Sequence, residues 1–106
     1  MTKDAVELDE KSFDKFIKEG KSIVDFFAGW CGPCQAMAPE FESAAKAMKG
    51  KVKFGKVNVE DEPALATRFE VMSIPTVILF KDGRLIGKSS GWLNRDGIIS
   101  LASDSF

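Results

Sequence analysis

Two segments of this sequence are apolar on both faces of the strand that each would form, 22–28 (SIVDFFA) and 52–59 (VKFGKVNV). A strand with two apolar faces is typical of a parallel sheet that helices cover on both sides. Between the two segments, apolar residues repeat at helical spacing, which predicts a helix that ends near Gly50. Strand, helix and strand together predict a βαβ unit with parallel pairing. The repeating apolar residues are Met37, Phe41, Ala44, Ala45 and Met48.

The rest of the chain predicts further strands and helices around this unit. Lys81-Asp82-Gly83 is a hairpin turn signal between two strands, 76–80 and 84–90. The predicted order is β-α-β-α-β-α-β-β-α, an α/β fold with a central mixed five-stranded sheet flanked by four α-helices. Because no repeat or linker interrupts the chain, we expect a single domain over residues 1–106. The other predicted elements are an edge strand over 5–8, a helix capped by Asp9, a short helix from Pro63 to Phe69 and a last helix capped by Asn94.

The charge balance and the N-terminal segment argue against several classes of protein. The 15 basic and 16 acidic residues leave a net charge of −1, so the sequence shows no basic surface for nucleic acid or an anionic membrane. The N-terminus is charged from its third residue and has no apolar signal segment, so we expect a cytoplasmic protein. The longest apolar run, 72–80, is far shorter than the roughly 20 residues of a membrane span.

Both cysteines of the chain lie in one short segment, WCGPC, from Trp30 to Cys34. Side chains three residues apart at a helix start are about 5–6 Å apart, close to the spacing that a disulfide requires. At the helix N-cap, Cys31 would lie beside unpaired N–H groups that favour its thiolate, which predicts an accessible nucleophile. Cys34, one turn further, would be the covered resolving thiol. Pro33 suits a first helical turn, and Gly32 leaves room for a partner's backbone.

Metal binding and a purely structural disulfide are the competing interpretations of the two cysteines. A structural zinc or iron–sulfur site needs four ligands, but the chain has two cysteines and no histidine. A disulfide that closes so short a loop would remove little entropy from the unfolded chain. The sequence therefore favours redox chemistry, without a metal.

Asp25 is the one charged residue in an otherwise apolar central strand, six residues before Cys31. Burial would raise the pKa of its carboxyl group and make it a candidate proton acceptor near neutral pH. The alternative is a buried ion pair with Lys56 on the neighbouring predicted strand. Both can hold, because Lys56 could tune the same carboxylate.

The Ile74-Pro75 bond and the two tryptophans have ordinary interpretations when each is taken alone. Most X–Pro bonds in folded proteins are trans, so the proline by itself predicts only a turn before a strand. Trp30 and Trp92 could be core aromatics, but Trp30 directly precedes the nucleophile in a loop, which predicts partial exposure.

Several separated motifs make the sequence resemble the thioredoxin family over about residues 5–101. They are WCGPC preceded by VDFFA and followed by MAP, KVNVEDEP, SIPT, FKDG and GW. The resemblance implies the thioredoxin fold, Cys31 as the nucleophile and Cys34 as the resolving thiol. It also implies that Asp25 is a buried acid that assists Cys34, with Lys56 beside it.

The same resemblance implies how a substrate binds. Pro75 would be a cis-proline that faces the disulfide, which reverses the expectation from X–Pro bonds in general. Its isomer would leave the backbone at Ile74 free to pair with an extended substrate segment. The implied substrate-binding residues are Trp30, Gly32, Pro33, Ile74, Pro75 and Gly91, with Trp92 beside them.

Three positions depart from the family pattern. Phe27 stands where many members have tryptophan, and we expect a neutral change in packing. Gln35 replaces a usual lysine or arginine, so a cation near the cysteines is missing. Trp92 follows Gly91 where a small residue is frequent, and would enlarge or partly cover the docking surface. These changes bear on the choice of partner.

The sequence thus predicts a monomeric protein-disulfide reductase that needs no bound cofactor and is re-reduced by a thioredoxin reductase. A disulfide oxidase or isomerase would run the same exchange in the opposite direction. A non-catalytic binding subunit would use the same surface only for docking. The Gly-Pro between the cysteines and the missing signal segment argue against the oxidase.

Overall fold

The structure, a computed structural model, describes residues 4–106, so the first three residues of the expected 1–106 domain lie outside the described residues. The element order and the five-stranded sheet with four helices confirm the prediction. Among residues 4–106, no helix is both long and apolar enough to span a membrane. The elements are β1 (Val6–Glu7), α1 (Glu10–Ile17), β2 (Lys21–Phe27), α2 (Gly32–Ala47), β3 (Lys53–Asn58), α3 (Pro63–Arg68), β4 (Thr76–Lys81), β5 (Arg84–Ser90) and α4 (Arg95–Ser105).

The sheet has the order β1-β3-β2-β4-β5, which makes β2 its central strand. β1, β3 and β2 run parallel to one another, whereas β4 and β5 are antiparallel to their neighbours. Asp25 on β2 is paired with Lys56 on β3 and with Val77 on β4. The predicted central strand therefore holds its one charge at the middle of the sheet.

Helices cover both faces of the sheet, as the two apolar faces of β2 predict. Ile23 on one face packs in the cluster that includes Met37 and Phe41 of α2 and Ile98 of α4. Val24 on the other face packs in the cluster that includes residues of α1 and α3. Since strand side chains alternate between faces, Asp25 lies on the same face as Ile23, under α2.

An aromatic cluster fixes the end of α3 to the core. The ring of Phe69, just after α3, lies 5.2 Å from the ring of Phe13 and 5.3 Å from that of Phe80, measured between centroids. Offset and edge-on aromatic pairs of this kind are each worth about 0.5–1.5 kcal/mol beyond their buried area. These contacts hold Phe69 in the core, and so they fix the position of the backbone where the next loop begins.

Capping and turn residues form the local structures that their types predict. Asp9 and Ser12 form a reciprocal capping box at α1, and Asn94 accepts a hydrogen bond from the N–H of Gly97 at α4. The hairpin between β4 and β5 has positive φ at Asp82 and Gly83, 50° and 86°. A two-residue hairpin turn of type I′ needs a positive φ at both of its central residues, which these two residues provide.

Candidate active site

The carboxyl end of β2 leads directly into a disulfide between Cys31 and Cys34 at the start of α2. Cys31 is the N-cap, with extended backbone (φ −82°, ψ 114°), and its sulfur accepts a hydrogen bond from the N–H of Cys34 at 3.2 Å. Pro33 follows within the first turn, where a missing N–H leaves no hydrogen bond unmade. The two Cα atoms are 5.2 Å apart, within the usual range for disulfides, so the pair can close inside one helical turn.

The exposure of Cys31 differs from the prediction, whereas Cys34 is covered as expected. We expected an accessible Cys31 and a covered Cys34, but in the disulfide form their exposed fractions are 5% and 3%. The reason is tertiary packing: Ile74 and Val59 pack against the cysteines, and Cys31 Sγ lies 3.9 Å from the carbonyl oxygen of Ile74. The asymmetry that remains is in hydrogen bonding, because the sulfur at the N-cap is the one that accepts the helix N–H.

Asp25 is almost fully buried, with an exposed fraction of 1%. Within residues 4–106 its Oδ1 atom has no hydrogen-bond partner. Burial raises the pKa of Asp25 to about 7, and the positive charge of Lys56 acts in the opposite direction. A carboxyl group in this state is half protonated near neutral pH and can therefore accept or release a proton there.

Lys56 lies beside Asp25 in the sheet register but does not form the buried ion pair that was the alternative interpretation. No salt bridge of Asp25 within 4.0 Å occurs in the described part of the chain. The ammonium nitrogen of Lys56 lies instead 5.0 Å from the centroid of the Phe27 ring. Phe27, one of the three departures from the family pattern, therefore also contacts the cation beside the acid.

The Ile74-Pro75 peptide bond is cis, as the resemblance implies and against the expectation from X–Pro bonds in general. The carbonyl of Pro75 accepts a hydrogen bond from the N–H of Gly91 at 2.9 Å, which joins the segment before β4 to the segment after β5. Within residues 4–106, Ile74 takes part in no backbone–backbone hydrogen bond. Its backbone is therefore available to an incoming strand.

Large apolar side chains are exposed in the loop before Cys31 and in the segment after β5. The exposed fraction of Trp30 is 69%, in agreement with the partial exposure that the sequence predicts, and that of Trp92 is 51%. A Cβ atom added at Gly32 would meet nothing within 4 Å, so the first turn of α2 is open. A groove of about 380 Å³ lies beside Trp30, and its walls carry no charged side chain. It is lined by Trp30, Val59, Pro63, Ala66, Thr67, Val71, Met72, Ser73 and Ile74.

The structure thus brings the two cysteines and Trp30 together with Ile74, and Asp25 together with Lys56. Two further residues, Met72 and Val59, line the groove beside Trp30, and the sequence interpretation missed both. Met72 is 92% exposed in the loop before Pro75. A large apolar residue next to Ile74-Pro75, outside any strand or helix pattern, was the signal that could have identified it. Val59 at the end of β3 had none, because its position beside the cysteines depends on the sheet order.

Gln35, where the family pattern has a cation, has a role that the sequence did not predict. Its side-chain N–H donates to the carbonyl oxygen of Gly29 at 2.6 Å. The bond joins the first turns of α2 to the loop that carries Trp30. In the described residues, no group of three or more histidine, cysteine, aspartate or glutamate side chains is arranged to hold a metal ion.

Comparisons with known proteins agree with this geometry. The family model described as Thioredoxin matches residues 4–104. A thioredoxin of Staphylococcus saprophyticus is 42% identical over 96 residues, which cover 91% of this chain and 92% of the relative. A thioredoxin of Chlamydia caviae is 45% identical over 91 residues, which cover 86% and 88%.

Solved structures show the same architecture. Chloroplastic thioredoxin z superposes with a TM-score of 0.86 at 28% identity, covering 98% of this chain and 96% of that chain. A chain from a study of thiol resolution in yeast mitochondrial 1-Cys peroxiredoxin via the glutathione and thioredoxin systems superposes with a TM-score of 0.85. It is 35% identical and covers 94% of each chain.

Proposed function

We propose that this chain, which belongs to the thioredoxin family and is a thiol–disulfide oxidoreductase, reduces protein disulfides. In this proposal Cys31 is the nucleophile, Cys34 is the resolving thiol and Asp25 accepts the proton of Cys34. The observation that carries the proposal is the disulfide at the N-cap of α2, where the Cys31 sulfur accepts the N–H of Cys34. That N–H and the positive end of a 16-residue helix stabilise a negative charge on the same sulfur after reduction.

In the first step, the Cys31 thiolate of the reduced protein attacks one sulfur of a substrate disulfide. A bond forms between Cys31 and that sulfur, and the second substrate sulfur leaves as a thiolate that takes a proton from water. In the second step, Cys34 loses its proton and attacks Cys31. The Cys31–Cys34 disulfide forms, and the first substrate sulfur leaves as a thiolate that takes a proton from water. Two electrons pass from the protein to the substrate.

Asp25 would accept the proton of Cys34 in the second step. It lies on the sheet face that α2 covers, and its pKa, raised to about 7 by burial, matches proton transfer at neutral pH. Lys56 would keep enough of the carboxyl group ionised, because its charge lowers the same pKa. Both residues therefore act on the resolving step rather than on the first attack.

The substrate would dock as an extended segment against the exposed apolar surface around the disulfide. Its backbone would pair with that of Ile74, which Pro75 presents in the cis form. Gly32 and Pro33 are exposed between the two cysteines and leave room for the segment, and the N–H of Gly91 donates to the carbonyl of Pro75. The two exposed indoles, Trp30 and Trp92, would flank the segment.

Family membership implies a reductase and disulfide-containing proteins as partners. We propose a thioredoxin reductase for the first of these, a single monomeric domain over residues 1–106, and the cytoplasm as the place of action. No nucleic acid or membrane partner is part of the proposal, since the net charge of −1 offers no basic surface. The disulfide exchange needs no bound cofactor.

Two serine variants test the proposed roles with insulin as the disulfide substrate. Cys31→Ser removes the attacking sulfur, and we expect no thiol release. Cys34→Ser keeps the attack but blocks its resolution, and we expect a mixed disulfide through Cys31 that non-reducing electrophoresis and mass spectrometry detect. Thiol release by Cys31→Ser at the wild-type rate would refute the mechanism. A wild type that oxidises reduced RNase faster than it reduces insulin would instead identify an oxidase.

A further inference from the structure

The loop that carries Met72 and Ile74 begins at an unusual helix end. Glu70, two residues after α3, has a left-handed backbone with φ +52°. The N–H of Glu70 donates to the carbonyl of Thr67, and the N–H of Val71 to that of Ala66. These are the two hydrogen bonds of a Schellman motif, in which the left-handed position is usually glycine. A side chain at this position strains the backbone, so other contacts must hold it.

Lys88 supplies such a contact from the neighbouring strand β5. Its ammonium group donates to the carbonyl oxygen of Glu70 at 2.7 Å and to that of Phe69 at 3.0 Å. Both distances lie within the normal range for nitrogen donors, and a charged donor makes these bonds stronger than neutral hydrogen bonds. Lys88 thus binds the two carbonyls on either side of the strained Glu70 peptide.

The other end of the same loop is also fixed. The hydroxyl of Thr76 donates to the carbonyl of Ser73 at 2.6 Å and lies 3.3 Å from the hydroxyl of Ser90 on β5. The loop between these points consists of Val71 to Ile74 and holds one wall of the groove beside Trp30. Its position therefore depends on Lys88 of β5 at one end and on Thr76 of β4, which lies beside Ser90, at the other.

We propose that Lys88 is a positioning residue for substrate docking: by holding Glu70 in the left-handed conformation, it keeps the Val71–Ile74 loop in the register that accepts a substrate backbone. This role rests on the proposed function, because it acts only on disulfides that dock beside Ile74. Lys88 touches neither cysteine. Its loss changes docking and leaves the exchange between the sulfurs intact.

Lys88→Met removes the ammonium group and keeps the apolar stem. Pre-reduced protein is mixed with an excess of insulin at increasing concentrations, and the rate at which reduced insulin forms, measured by rapid alkylation and mass spectrometry, gives the half-saturating concentration and the limiting rate. We expect the half-saturating concentration to rise about three- to tenfold with the limiting rate unchanged, the size expected for charged hydrogen bonds that are partly solvated. Reduction of cystine, a small disulfide with no segment to dock, should keep its wild-type rate. Lys81→Met, which removes a lysine charge at the end of β4, is the matched control and should change neither quantity.

A second substitution separates positioning from a general loss of charge or stability. Glu70→Gly allows the left-handed backbone without strain. In the Lys88→Met background it should restore insulin docking, whereas Glu70→Gln, which removes only the charge, should not. An unchanged half-saturating concentration in Lys88→Met, or no restoration by Glu70→Gly, would overturn the proposal for Lys88. A wild type that fails to reduce insulin would overturn the proposed function instead.

Discussion

Replacing Asp25 with asparagine removes the buried charge and keeps the size of the side chain. Burial raises the pKa of Asp25 from its ordinary 3.8 to about 7, against the opposing effect of Lys56. That difference is about three pH units, and each unit corresponds to about 1.4 kcal/mol between the two protonation states. Ionised Asp25 therefore costs the folded protein about 4 kcal/mol, an order-of-magnitude value that asparagine avoids.

The sign of the effect follows from which state binds the proton. Below about pH 3.8 the carboxyl group is protonated in both the folded and the unfolded chain, so the substitution changes little. Between 3.8 and about 7, only the folded state keeps the proton, so the stability of the wild type falls as the pH rises. Above about 7 the full cost is present, and Asp25→Asn should be more stable than the wild type by up to about 4 kcal/mol.

Urea unfolding of the oxidised proteins, from about pH 3.5 to about pH 9, measures this difference. Asp14→Asn is the matched control, since hydrogen bonds from Arg68 lower the pKa of the Asp14 carboxyl group. A lowered pKa stabilises the folded protein at pH values above the pKa of the unfolded chain, and this stabilisation is lost as the pH falls. The Asp14→Asn variant should therefore be less stable than the wild type at neutral pH.

The two variants should therefore move in opposite directions as the pH rises. A stability difference for Asp25→Asn that stays constant from acid to alkaline pH would refute the raised pKa. It would also remove the physical reason for giving Asp25 the proton of Cys34.

Two further predictions test contacts around the same strand. Lys56→Met removes the charge that lowers the pKa of Asp25, so the carboxyl titration followed by NMR should move above about 7; an unmoved midpoint would contradict the coupling. Gly55→Ala places a Cβ atom 2.7 Å from Leu8 Cδ1 and 3.1 Å from Phe16 Cε2, so urea unfolding should show a loss of about 1–3 kcal/mol. Gly29→Ala, whose Cβ meets nothing within 4 Å, is its control and should leave the stability unchanged.

Much of the fold could be predicted from local patterns because local physics determines those parts. The two-faced apolar strand β2, the capping residues Asp9 and Asn94 and the turn at Asp82-Gly83 each work through neighbours in the sequence. The lone aspartate in an apolar strand likewise predicted burial correctly.

The remaining features depend on contacts between residues that are distant in the sequence. Cys31 is buried because Ile74 reaches it across 43 positions, and no pattern near residue 31 carries that information. Lys88 in an exposed edge strand has the sequence pattern of a solvated charge, yet it binds carbonyls 18 and 19 positions earlier. The sequence interpretation of Gln35 considered only the missing positive charge. Its hydrogen bond to Gly29 depends on how the loop that carries Trp30 folds against α2.

The division of the sheet into a parallel and an antiparallel half separates two tasks along the chain. The sulfurs, the buried acid and its neighbouring lysine come from β2, α2 and β3. The loop beside Ile74, its two tethers and Trp92 come from α3 onward. Two family members could therefore be joined at a single point between β3 and α3. The resulting chimera would take its thiol chemistry from one parent and most of its substrate selectivity from the other.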